Sequence, residues 1–137
     1  MEERRNTLRR HAQALIAAGL LAGAVGGAPA CELPPGTRLE SKHLVLSYRS
    51  IPSRIVVGEH FALELAVCPK QGAALPERVK LDAQMPEHKH GMNYRPDVKT
   101  LGAGRYLSNG WLFHMPGRWE FSFELGGERV THNVRIE

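Results

Sequence analysis

Apolar side chains recur at every second position through most of the chain. Phe61, Leu63, Leu65 and Val67 alternate with His60, Ala62, Glu64 and Ala66, and Val79, Leu81, Ala83 and Met85 with Lys80, Asp82 and Gln84. Trp119, Phe121, Phe123 and Leu125 alternate with Arg118, Glu120, Ser122 and Glu124, and Val130, His132, Val134 and Ile136 follow after Gly126-Gly127. Side chains of an extended chain point to opposite faces in turn, so each run makes a strand with one apolar face, and no helical period competes with it. Gly126-Gly127 predicts a hairpin, because two-residue hairpin turns favour residues that accept positive φ. Asn109-Gly110 predicts another, turning a short strand at 105–108 back into 111–115. Two further strands are expected near 44–48 and 54–57. Seven or eight short antiparallel strands predict an all-β fold, an immunoglobulin-like antiparallel β-sandwich. A small barrel would share the same periodicity.

The 137 residues carry a formal charge of +4. The first 30 residues hold four arginines and two acids, which leaves 14 basic against 12 acidic side chains from Cys31 onward. So balanced a remainder gives no support to a nucleic-acid partner. The same 30 residues read as an export signal: Arg4, Arg5, Arg9 and Arg10, then a Gly/Ala-rich apolar core, then Ala28-Pro29-Ala30 as a small-residue cleavage site. The apolar core is too weak for a stable membrane span, so an integral membrane protein is not expected once the signal is removed. Arg4-Arg5 with Leu8 and Arg9 also resembles a loose twin-arginine signal. The expected organisation is a signal peptide at 1–30 and one β-sandwich domain at 31–137, periplasmic or secreted. Cys31 directly after the cleavage site leaves lipid anchoring as the alternative, against which Ala28 stands where a lipobox normally has leucine.

A domain of this size buries roughly two-thirds of the surface its unfolded chain exposes, which is marginal for a thin sandwich. The two cysteines, Cys31 and Cys68, can pair in an oxidising compartment, and closing a loop of that length contributes about 4 kcal/mol in the chain-entropy model. Lipidation of Cys31 and this disulfide exclude one another. Two unrelated cysteines are the remaining alternative.

The connection after Met85 reads Pro86-Glu87-His88-Lys89-His90-Gly91-Met92-Asn93-Tyr94-Arg95-Pro96. Connections this long usually carry function or disorder. Every methionine of the mature region lies within three residues of a histidine: Met85 and Met92 around His88 and His90, and Met115 beside His114. On extended backbone His88 and His90 would project to one side, and Gly91 would let the chain bend to bring in Met92. Imidazole with thioether is a borderline-to-soft donor set, suited first to Cu(I), then to Cu(II) with more nitrogen ligands.

Met85 and Met115 each end an expected strand and each precede proline. One reversing strand between them would bring both ends to one pole and His114 opposite the His88/His90/Met92 loop. A second reversing strand at Val98–Leu101 would separate them. Met85 and Met115 also share the buried parity of their strands and fit the core equally well. His114 fits a solvated strand position, and His88 and His90 an exposed polar loop. His43 and His60 read as surface residues, and His132 as a hydrogen-bonded strand histidine.

The run Asp82 to Met92, then Gly104-Arg105-Tyr106, then Phe113-His114-Met115-Pro116-Gly117-Arg118-Trp119-Glu120-Phe121 resembles the YtkA-like domain family. The resemblance spans roughly residues 45 to 137 and is specific in the Met-Pro-x-His-x-His-Gly-Met and Met-Pro-Gly-x-Trp segments. It implies an exported immunoglobulin-type sandwich and, through association with metal and respiratory-oxidase functions, a copper role.

H-E-x-x-H, G-x-S-x-G, Walker-loop and C-x-x-C motifs are missing, and Gly102-Ala103-Gly104 lacks the third glycine of a dinucleotide site. The expectation is therefore a non-enzymatic copper-binding protein for metal delivery or tolerance, its ion passing to another exported or membrane protein. Its ligands would come from His88, His90, Met92 and His114, with Met85 and Met115 in reserve. The alternative is a sandwich interaction module that binds no metal.

Overall fold

The alternating runs form strands in a computed structural model that describes residues 31–137; the expected signal peptide lies outside them. In chain order the strands are β1 (Thr37–Glu40), β2 (Leu44–Ile51), β3 (His60–Pro69), β4 (Val79–Met85), β5 (His90–Gly91), β6 (Lys99–Gly102), β7 (Arg105–Leu112), β8 (Gly117–Leu125) and β9 (Glu128–Ile136). They make two sheets, one of five strands in the order β1-β2-β3-β7-β6 and one of four in the order β5-β4-β8-β9. Every pairing is antiparallel. Among the described residues there is no helix, hence none long and apolar enough to cross a membrane. The fold is thus an all-β sandwich, and its core is the expected parity: Leu63, Val67, Leu81, Trp119, Phe121 and Phe123 are buried.

Tyr48 crosses this core from β2, its ring centroid 4.9 Å from that of Phe123 and 5.5 Å from that of Phe121. Burial pushes its hydroxyl up to about 12. The hydroxyl and His132 Nδ1 form a 2.6 Å hydrogen bond, so His132 is the hydrogen-bonded strand histidine that its inward parity suggested. Cys31 and Cys68 form a disulfide with Cα atoms 5.6 Å apart. It fastens the start of the domain beside Val45, the register partner of Cys68 on β2.

Three expectations are corrected. Among the described residues nine strands form rather than seven or eight, with β1, β5 and β6 as short additions at sheet edges. Residues 54–57 make no strand; Ile55 and Val57 pack against the core from irregular backbone. Asn109-Gly110 makes no hairpin, because β7 runs straight through it as a bulge. Phe61 faces Trp111 but Leu63 faces Ser108, which leaves one extra residue on β7, and Gly110 absorbs the distortion at φ +84°. The bulge is fixed from the side: Asn109 N–H donates to Asp97 Oδ1 at 2.8 Å, and Ser108 Oγ donates to Asp97 O at 2.6 Å. Gly126-Gly127, by contrast, is the expected turn, with both φ positive and Leu125 facing Glu128.

These corrections decide where the Met-Pro strand ends lie. After β4 the chain crosses to the five-stranded sheet, runs away along β6, returns along β7, and crosses back through 113–116 into β8. The extra strand β6 would alone have separated the two clusters. The missing hairpin at Asn109-Gly110 removes a second reversal, so Met85 and Met115 share a pole.

Candidate metal centre

At that pole the 86–96 connection is shorter than its sequence suggests, because β4 folds back at once into β5. Met85 faces His90 and Gln84 faces Gly91 in the ladder. His88 N–H donates to Met85 O at 3.1 Å, and Lys89 closes the turn at φ +55°. The backbone between His88 and His90 is therefore a turn and not the extended strand expected, yet it still brings their ring centroids to 5.7 Å. Gly91 does not bend the chain either. A Cβ there would meet Ala83 O at 3.3 Å, so its role is the close approach of β5 to β4. Opposite partners in an antiparallel ladder share a face. His90 thus stands on the inner face beside Met85, and Met92, two residues on, is partly buried against the core.

His114 arrives from the crossing segment between β7 and β8, which is fixed on both sides of it. Phe113 O accepts the Gly58 N–H at 2.8 Å, and Met115 O accepts the Trp119 Nε1–H at 3.1 Å. The Phe113 and Trp119 rings stack with centroids 4.2 Å apart and planes 10° from parallel. Held between these anchors, the His114 ring lies 5.2 Å from the His90 ring. Trp119 adjoins both, 6.2 Å from His90 and 5.5 Å from His114, its plane at 73° and 83° to theirs.

The donor atoms differ in readiness. A carbonyl only accepts, so in the neutral imidazole the 3.0 Å contact between His90 Nδ1 and Gly91 O puts the proton on Nδ1 and the lone pair on Nε2. Among the described residues, His114 Nδ1 is buried without any hydrogen-bond partner. Burying such an atom unpaired costs about 1–3 kcal/mol, and an ion or a proton donor at this spot would recover it. Met92 and Met115 are partly buried beside the core, and His88 is exposed on the turn. Met85 is 0% exposed. A Cβ on Gly117 would fall 2.8 Å from Met85 Cε, so this side chain fills the floor under the 115–117 turn. Arg118 Nε donates to Glu87 Oε1 at 3.0 Å and ties the β4–β5 turn to β8.

Among the described residues, no group of three or more His, Cys, Asp or Glu side chains is arranged to hold a metal ion. Any ion at this pole needs sulfur from methionine or a small closure of the imidazoles. The donor chemistry fits a soft, low-coordinate ion and suits a carboxylate-seeking one poorly.

Reading the sequence missed two aromatic neighbours and one histidine. Trp119 has core parity and gave no sign that its ring would also adjoin two imidazoles. His60 faces Leu112 at the end of β7 and so stands at the same pole, its ring 5.4 Å from that of Tyr94. Only the register of β3 with β7, absent from the sequence pattern, could have put it there. His43 is at the opposite pole, paired with Glu128. Hydrogen bonds from Ser41 and His43 hold the Glu128 carboxyl down at about 2. No family model and no curated protein matches the chain.

Proposed function

We propose that the chain is an exported, non-enzymatic copper-binding protein that carries Cu(I) for delivery or tolerance. The reading rests on one observation: His114 Nδ1 is buried without a partner beside the His90 ring, with Met92 and Met115 close by in sequence and partly buried at the same pole. His90 and His114 would supply nitrogen and Met92 sulfur, with His88 and Met115 as further donors; Met85 acts as floor. Copper held this way is kept from free solution and offered at an exposed pole to an exported or membrane acceptor. The strand order β2-β3-β7-β6 against β4-β8-β9 corresponds to the ABED and CFG order of immunoglobulin domains and supports that finer reading of the fold. Export and kinship with YtkA-like domains belong to the same proposal; the Cys31–Cys68 disulfide favours an oxidising compartment and leaves no sulfur for lipid, which speaks for a free over a lipidated chain start.

The test is a competition titration of the purified domain against a Cu(I) chelator. One ion per chain is expected, and His90→Ala with Met92→Ala should weaken binding while the fold survives. Equal affinity in the double variant removes the loop from the site. The second reading, an interaction module without metal, draws on Tyr94, which is 47% exposed at this pole. Absence of copper binding by the parent would favour it.

A further inference from the structure

We infer that Trp119 sets the oxidation-state preference of this pole, acting as an aromatic wall that favours Cu(I) over Cu(II); the inference rests on the copper reading above. The indole is 0% exposed and adjoins both imidazoles, with ring centroids 6.2 Å from His90 and 5.5 Å from His114. Its only polar atom is already committed, since Nε1–H donates to Met115 O. It therefore offers neither a ligand nor a hydrogen bond to a metal-bound water. Phe113 stacks on it at 4.2 Å and prevents it from turning away.

Such a wall acts differently on the two ions. Cu(II) prefers tetragonal surroundings of nitrogen and oxygen, and the wall denies it water or a further donor on that side. Cu(I) is satisfied by a few soft ligands. The pattern that makes Trp119 a core residue of β8 thus also gives the metal pole its apolar side.

The experiment compares Cu(I) and Cu(II) affinities, each by chelator competition, in the parent and in Trp119→Phe. Phenylalanine keeps an aromatic partner for Phe113 but is smaller and lacks the Nε1–H. The ratio of Cu(I) to Cu(II) affinity should fall several-fold, because the smaller ring leaves room for water or an oxygen donor beside the imidazoles. An unchanged ratio in a variant that binds copper overturns the role of Trp119 and leaves the copper reading intact. A parent that binds no copper overturns both. Should Trp119→Phe fail to fold, the parent decides: Cu(I) addition should shift the near-ultraviolet indole bands, and unchanged bands overturn the proposal. Repeating that titration in Trp111→Phe, where Trp119 is the sole indole, should preserve the shift; its loss would assign the signal to Trp111 and overturn the proposal.

Discussion

Met85 and His90 face each other across the β4–β5 ladder, one sealed in the core and the other at its rim. Their shared face joins the imidazole pole to the packing beneath it. Met85→Ala should therefore destabilise the domain by about 2–5 kcal/mol through the cavity it leaves. Met85→Leu, close in volume, should cost under about 1.5 kcal/mol. Thermal or urea unfolding gives both values. Copper affinity should be unchanged in Met85→Leu, and a large loss there would make the Met85 sulfur a ligand.

His114→Ala should lower Cu(II) affinity more than Cu(I) affinity, because thioethers compensate a missing imidazole only for the softer ion. The variant also removes a buried ring nitrogen that has no partner, so lost hydrogen bonding should not unfold it. Circular dichroism checks the fold. Chelator competition and the Cu(II) paramagnetic resonance spectrum check the site, and a spectrum identical to the parent's would make His114 a bystander.

Removal of the disulfide by Cys31→Ser with Cys68→Ala should lower stability by about 2–4 kcal/mol. For a domain of this size each kcal/mol shifts the melting midpoint by roughly 4–8 °C. Intact mass before and after reduction and alkylation verifies the bond in the parent, and two free thiols there would contradict it.

Glu128 links acid stability to the pole remote from the imidazoles. Its folded pKa of about 2 lies below its ordinary 4.5, so the unfolded chain takes up the proton first. The stabilisation it provides is complete above pH 4.5 and is lost as the pH falls towards 2. Glu128→Gln should flatten the decline of the unfolding free energy over that interval. A parallel decline in parent and variant would show that other carboxylates carry it.

Much of the sandwich was legible because β3, β4, β8 and β9 each bury one face, and burial of one face is what alternation encodes. The edges were not. β1 has Leu39 as its only strongly apolar residue, and β6 is exposed along its whole length, so neither needed a marked pattern. Asn109-Gly110 misled because its local turn preference yields to the pairing of β3 with β7, where a bulge uses the same left-handed glycine. The ligand candidates were visible as composition, methionine beside histidine. Their meeting was not, since it depends on two reversals that offset each other and on an aromatic stack across two segments.

Cys31 is bonded to Cys68 one residue before β3 ends, whereas His60 opens β3 beside the imidazole cluster. At about 3.3 Å of rise per residue, the eight steps between Cys68 and His60 span roughly 26 Å. Whatever chain precedes Cys31 is therefore moored at one end of a stiff block, and the imidazoles ride at the other. On the proposed copper reading, reach towards an acceptor would depend on how that block is tethered, and affinity on how its far end is packed.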